Sequence, residues 1–417
     1  MSNRFRVLFL DQMNIARGKY IPETKDKSVR FCVGAYSSGY SGCPAPNNPG
    51  MELVNEYYDI EAKFNPHEAR LSWEPGTQIV LPDMYFDGKP FPLCGRTALK
   101  KAINLWRDIG LEPMVGYETE ANIFQQDGEL YNKYNARFYN TGAFSDSAGL
   151  LDDIWNMAEN CNLPLESVHS EYDPGQFEFT MKYDYALQAT DNVFLFRQMT
   201  REILIKRGYL LSYMPVPKTH GWNALHFNIS FVDAQTNENV FSGEEMSDLK
   251  KSSIAGLLHH HKSLAAIVAP TVNSYERIQD HRMAGYWANW SRTSRRSSIR
   301  LSSETGTRAR IEYRVADYSA NPYFALAALL QAMFLGHKNN YTLPPSETND
   351  SMRDRKSDQH TPDKLSESLQ YLKADSVLTT AIGQPIIDHY IGLKTQEVFE
   401  MEGKSVEEQF DYYSCFI

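Results

Sequence analysis

The chain has 417 residues and a net charge of −10, which gives enough length to bury a large core in two or more domains and the wrong overall sign for nonspecific binding to nucleic acid. Its five cysteines, Cys32, Cys43, Cys94, Cys161 and Cys415, form no CxxC pair and are odd in number, which argues against a disulfide framework or zinc knuckle and for a reducing cytoplasm. There is no basic-then-apolar leader and no apolar run of about 18 residues, so neither secretion nor membrane spanning is expected.

Short β-rich runs at 7–10 and 78–81 are separated by turn-formers such as Ser37-Ser38-Gly39-Tyr40-Ser41-Gly42 and Pro44-Ala45-Pro46-Asn47-Asn48-Pro49-Gly50, a pattern that predicts a small sheet domain with long loops. From Gly95 the spacing changes to a helix over 98–105, then a strand over 113–124, and helices and strands alternate up to Leu335. The domain boundary is expected near 92–95. The polar stretch 344–356 predicts an exposed loop, and helical spacing returns over 365–372 and 382–399. His259, His260 and His261 are consecutive in a helix and point in different directions, so no metal site is expected there.

Four stretches carry chemistry. In Gly116-Tyr117-Glu118-Thr119-Glu120 the two glutamates share one strand face. Such a pair repels itself unless cations neutralise it. In Glu171-Tyr172-Asp173-Pro174-Gly175-Gln176-Phe177-Glu178 a Pro-Gly turn lets two carboxylates reach a common point, with His169 two residues upstream. In Leu225 to Phe231, His226, Asn228 and Ser230 line one face while Leu225, Phe227, Ile229 and Phe231 line the other. Arg310-Ile311-Glu312-Tyr313-Arg314 repeats the design, with an Arg-Glu-Arg ladder opposite Ile311, Tyr313 and Val315. Each has an ordinary reading taken alone: a solvated edge strand, a plain turn, a structural histidine, a surface salt-bridge ladder. Their recurrence favours a shared cavity, whose oxygen-rich donors and single imidazole suit Mg²⁺ or Mn²⁺ better than zinc. The local cluster Arg292, Arg295, Arg296, Arg300, Arg308, Arg310 and Arg314 calls for an anionic ligand smaller than DNA.

These motifs, with the run Ala269 to Arg277 and with Ala320-Asn321-Pro322-Tyr323, resemble the glutamine synthetase family over about residues 75–400. The resemblance implies an α+β fold with a small N-terminal β-grasp-like domain (1–94) and a large catalytic domain (95–417). The latter would hold the active site in a curved, barrel-like antiparallel sheet flanked by helices. It also implies a homo-oligomer, most simply a dodecamer of two hexameric rings with octamers and decamers left open, in which one subunit's N-terminal domain completes its neighbour's site, with no nucleic-acid or membrane partner. The activity implied is ATP-dependent coupling of an acid to an amine, with ATP as co-substrate and two or three Mg²⁺ or Mn²⁺ per site. One cation would be held by Glu120, Glu171 and Glu178, and a second by Glu118, His226 and Glu312. Arg295, Arg300 and Arg310 would handle phosphate, with Glu171 beside the incoming amine. Arg277, Arg314 and Glu120 would hold substrate, and His169, Tyr183, Asn228 and Ser230 would contact the nucleotide, together with Arg300 and Arg310. The chemistry follows from the poor electrophilicity of a carboxylate: ATP phosphorylates its oxygen, and an unprotonated amine then displaces phosphate.

Three departures bear on the amine. The flap glutamate expected six residues after Arg277 is Met283, and the Asn-Gly-Ser-Gly loop before the strand histidine is Gly221-Trp222-Asn223-Ala224. An N-terminal aspartate expected at the ammonium site has no counterpart in Ala35-Tyr36-Ser37-Ser38. Loss of two carboxylates weakens a small-cation site, and Met283 with Trp222 suits an apolar substituent. The resemblance is therefore nearest in character to γ-glutamyl-amine and polyamine ligases. Ordinary glutamine synthesis, and a silent structural or regulatory member, are the alternatives.

Overall fold

In this computed structural model, residues 4–23, 27–42, 45, 48–132, 138–218, 221–243, 245–279, 283, 285–302, 305–347 and 357–417 are described. Cys43 and most of the expected polar loop at 344–356 lie outside them. The first eight strands are β1 (Arg4–Leu10), β2 (Ala16–Pro22), β3 (Ser28–Cys32), β4 (Asp59–Lys63), β5 (Arg70–Leu71), β6 (Thr77–Val80), β7 (Asp83–Phe86) and β8 (Lys89–Pro90). They form one sheet of order β2-β1-β6-β5, in which β1 and β6 run parallel, and a second of order β3-β4-β7-β8. The sheets meet where Phe9 packs edge-on to Phe31 with ring centroids 5.0 Å apart and stacks on Tyr36 at 5.8 Å.

The larger part begins with α1 (Gly95–Arg107), β9 (Leu111–Phe124), α2 (Leu150–Asn160), β10 (Leu165–Ser170), β11 (Gln176–Tyr185), α3 (Ala186–Lys206), β12 (Leu210–Ser212) and β13 (Leu225–Asp233). It continues through α4 (Asp248–His259), α5 (His261–Val268), α6 (Ser274–Arg277), β14 (Trp290–Ser291), β15 (Ile299–Leu301), β16 (Ile311–Tyr313) and α7 (Pro322–Lys338). The last helices are α8 (Leu365–Ala374), α9 (Ser376–Ile382), α10 (Gln384–Met401) and α11 (Val406–Tyr413). Among the described residues the sheet order is β10-β11-β9-β13-β16-β15-β14, with β12 also paired to β9. All pairings are antiparallel except β14 with β15. The path is open, with β10 and β14 at its ends, rather than a closed barrel.

Alternation gives this sheet one greasy face. Tyr117, Phe177, Phe179, Phe227, Ile229, Phe231, Ile311 and Tyr313 are all buried, and helices cover them: Trp106 of α1 lies 4.2 Å from Phe231, Phe196 of α3 lies 5.5 Å from Phe179, and the Tyr117 hydroxyl pairs with Thr190 at 2.7 Å. Burial of each such side chain stabilises the fold by about 1.5–3 kcal/mol. The opposite face is left to the charged residues. Asn321 joins the two parts, because its Oδ1 caps α7 at the N–H groups of Tyr323 and Phe324 while its Nδ2 donates to the Asp11 carbonyl at 2.8 Å.

Three local expectations change. The helix expected over 382–399 forms as α10, starting just after Gly383, and is preceded by a short helix, α9, that was not expected. The strand expected through Arg310 and Arg314 pairs only over Ile311–Tyr313. Glu347, expected in an exposed loop, is buried and accepts from Asn289 Nδ2 at 3.1 Å. The three histidines separate as expected: His259 stacks on Tyr341, His260 bonds Asp375 and His261 bonds Thr361.

Candidate active site

Strand register puts the motif residues in rows on the polar face. Glu120 lies opposite Glu178, which lies opposite His169; Glu118 lies opposite His226; and Asn228 lies opposite Glu312, which lies opposite Arg300. Directly opposed residues share a face, so ligands far apart in the chain converge without any loop having to reach them. Gly175 makes the remaining connection. It sits at φ +66° in a turn closed by Gln176 N to Asp173 O at 3.1 Å, and a Cβ there would meet the Tyr131 carbonyl at 2.8 Å.

Two groups of possible metal donors result, each with its donor atoms within 4.8 Å of one another. The first is Glu118, His226 and Glu312. His226 Nδ1 is hydrogen-bonded to Glu118 Oε2 at 3.1 Å, and Asn228 Nδ2 donates to Glu118 Oε1 at 3.0 Å. Arg300 and Arg314 each donate to a different oxygen of the buried Glu312. Burial works to raise Glu118, but His226, Asn228 and Arg314 outweigh it and hold the carboxylate at about 2. Burial, with Arg314 nearby, lowers His226, which keeps the imidazole neutral and able to ligate.

The second group is His169, Glu171 and Glu178, with His169 Nε2 3.1 Å from Glu171 Oε1. Here His169, expected on the nucleotide, stands among the donors. Glu120, expected as a donor, lines the same cavity beside this group, and its Oε2 accepts from Ala224 N at 3.0 Å and from Gln176 Nε2 at 3.3 Å. Burial and Glu171 push Glu120 up to about 8, and burial with Glu118 and Glu120 pushes Glu178 up to about 9. Crowded, desolvated carboxylates of this kind are relieved by a cation. The donors in both groups, carboxylate oxygens with one imidazole each, suit a hard divalent ion.

Beside them opens a cavity of about 780 Å³ lined by Glu120, Glu171, Glu178, His226, Arg277, Arg295 and Arg314, and also by Phe138, Tyr139, Tyr172, Trp222 and Met283. Arg277 is 2% exposed and donates to the Val315 and Ala316 carbonyls, and its Nε has no partner among the described residues. Arg314 Nε donates to the Arg295 carbonyl at 3.0 Å. Arg310 Nε donates to Asn228 Oδ1 at 2.8 Å, farther along the same face. Ser230 is buried on that face, and Tyr183 is exposed at the bulge where β11 pairs with β9. Phe138, Tyr139 and Tyr172 escaped the sequence reading. The available signal was an aromatic pair in a polar segment and an aromatic directly after a motif glutamate.

The family model described as the glutamine synthetase catalytic domain matches residues 92–413. The chain belongs to the glutamine synthetase family. The glutamine synthetase of Thermococcus kodakarensis is 33% identical over 348 residues, covering 80% of this chain and 77% of that one. Among solved structures, one described as a novel glutamine synthase homolog has a TM-score of 0.87 at 21% identity, covering 100% of this chain and 99% of its own. GmaS without ligand has a TM-score of 0.85 at 23% identity, covering 98% and 96%. Both support the fold, with a small N-terminal sheet region and a large helix-flanked sheet. The protein is thus an ATP-dependent ligase of a family that generally uses ATP and divalent metals, acts on small molecules and forms oligomers. No helix among the described residues is long and apolar enough to cross a membrane.

Proposed function

We propose that the chain phosphorylates the side-chain carboxylate of glutamate, or of a similar acid, and couples it to an amine other than ammonia, giving a γ-glutamyl amide, ADP and phosphate. The observation that carries this reading is the half-exposed Met283, which lines the substrate cavity with Trp222 at the position where a flap carboxylate would attract ammonium. Arg277 and Arg314 hold the acid. Its carboxylate oxygen attacks the γ-phosphorus of ATP, the bond to ADP breaks, and Arg295, Arg300 and Arg310 spread the charge in transit. The amine nitrogen then attacks the acyl carbon, phosphate leaves, and the proton shed by the ammonium goes to Glu171. Glu118, His226 and Glu312, and Glu171 and Glu178 with His169 or Glu120, would hold divalent cations, which when bound neutralise the phosphates. His169, Tyr183, Asn228 and Ser230 remain the nucleotide contacts of this reading, with His169 shared between the two roles.

The same reading divides the chain at 94/95 and gives a cytoplasmic dodecamer of two hexameric rings, with Mg²⁺ or Mn²⁺ as the ion. Glutamine synthesis from ammonium is the second reading, favoured by the naming of relatives such as that of T. kodakarensis. A mass-spectrometric product screen separates them. With ATP, Mg²⁺ and glutamate, a pool of amines yields γ-glutamyl amides with little glutamine from ammonium; glutamine as the main product overturns the proposal.

A further inference from the structure

Five large apolar side chains stay exposed around one cavity: Phe138 at 40%, Tyr139 at 57%, Tyr172 at 62%, Trp222 at 44% and Met283 at 45%. Apolar surface gathered at a site mouth, rather than scattered, marks a binding surface. We infer that Phe138 and Tyr172, with Tyr139, Trp222 and Met283, form a subsite for the apolar distal end of a primary monoamine, so that alkyl and arylalkyl amines are preferred over methylamine and polyamines. This rests on the amine-ligase reading and specifies its substrate class.

The rings are pre-arranged. Phe138 and Tyr172 stack with centroids 4.4 Å apart and planes 17° from parallel, and Tyr139 lies 4.0 Å from Phe138 and 4.6 Å from the His169 ring. Tyr139 N donates to the Ser170 carbonyl at 2.9 Å and Ser170 Oγ donates to the Asn140 carbonyl at 2.9 Å, which ties this segment to the end of β10. Trp222 is carried by an equally fixed loop. Gly221 takes φ +82°, its N–H donates to Asp173 Oδ2 at 2.9 Å, and Asn223 Nδ2 donates to Asn122 Oδ1 at 2.9 Å and to the Met214 carbonyl at 2.8 Å. A surface held this way spends little ordering entropy when a ligand arrives.

Position and charge select the ligand. The wall starts one residue from Glu171, the proton acceptor of the proposed reaction, and Tyr139 covers the His169 ring that bonds it. An amine nitrogen at Glu171 therefore points its substituent along the rings, and a methyl group is too short to use them. A distal ammonium is disfavoured because it would lose hydration against the rings, where Arg295 and Arg296 of the same cavity oppose it even as Asp173 attracts it.

The test compares kcat/KM of the full-length enzyme with ATP, Mg²⁺ and glutamate for methylamine, butylamine, hexylamine, benzylamine and putrescine. Each methylene that reaches the wall raises kcat/KM by up to about fourfold, so butylamine and benzylamine exceed methylamine by at least about tenfold, and putrescine falls below butylamine. In Phe138→Ala and Tyr172→Ala the benzylamine-to-methylamine ratio falls by about tenfold, equal to about 1.4 kcal/mol. A flat series, a preference for putrescine, or an unchanged ratio in both variants overturns the subsite while leaving the amine-ligase reading intact. An unchanged ratio with an altered assembly size assigns the rings to contact with a second copy. Activity with ammonium alone overturns both.

Discussion

Adding Mg²⁺ to the metal-free protein at pH 7 should release protons. Glu120 is pushed up to about 8 by burial and by Glu171, and Glu178 to about 9 by burial and by Glu118 and Glu120. Both carboxyls are therefore largely protonated at pH 7, and on the proposed reading Glu178 and Glu120 must lose their protons to ligate. Binding should release on the order of one to two protons, and affinity should rise by up to about tenfold per pH unit for each proton released. Calorimetric titration in two buffers of different ionisation enthalpy counts them. The stability sign follows from the same shifts. Between the ordinary value of 4.5 and these raised values the folded chain keeps protons that the unfolded chain has lost. Without metal, stability should thus fall as pH rises through that window, by up to about 1.4 kcal/mol per pH unit per proton. Saturating Mg²⁺ should flatten the slope. Saturable binding with no proton release at pH 7 would refute the claim that burial and mutual repulsion govern this cluster.

Other substitutions probe the remaining parts. Glu312→Ala leaves two guanidiniums without their buried partner and should cost about 3–5 kcal/mol in denaturant unfolding; Glu312→Gln keeps the volume and should still lower ATP-dependent coupling at least about 100-fold. Normal turnover in the Gln variant removes Glu312 from the chemistry. Met283→Glu should shift preference toward ammonium by about tenfold, or about 1.4 kcal/mol, in a two-substrate competition assay. Gly221→Ala forces a Cβ to 2.2 Å from Asn122 Oδ1 at φ +82° and should cost about 1–3 kcal/mol, read as a lower urea midpoint.

Period-two alternation made the site legible because a strand reports its faces directly. Glu118 with His226 and Asn228 with Glu312 were readable as ligand-bearing positions, and the register then set them opposite one another. What alternation cannot report is side-chain direction within a face. Glu120 has the same parity as Glu118, yet its Oε2 is held by the Ala224 N–H and Gln176, and the donors that lie within 4.8 Å of one another are those of His169, Glu171 and Glu178. The aromatic wall was only partly legible, for a different reason: Trp222 and Met283 stood out as motif departures, whereas Phe138, Tyr139 and Tyr172 lie on other loops, and only the fold brings them to one cavity. Gly383 shows a smaller version of the same limit, since α10 after it was legible from spacing while the short α9 before it was not.

The two donor groups differ in charge balance, and that difference gives the site an order of events. Glu118 and Glu312 are already answered by His226, Asn228, Arg300 and Arg314, so a cation there gains little until the arginines turn elsewhere. Glu178 faces Glu118, Glu120 and Glu171 with only His169 to offset them, and burial with Glu171 outweighs Arg277 and Arg314 at Glu120, so a cation there takes over from the protons that relieve the crowding. The phosphates of a nucleotide are the natural competitor for Arg300. On the proposed roles, nucleotide arrival draws that guanidinium off Glu312 and frees an oxygen for the second cation, while the acid substrate does the same for Arg314. Nucleotide, acid and second cation would then favour one another through a shared carboxylate, with Arg300 and Arg314 staying paired to Glu312 until there is an anion to receive each.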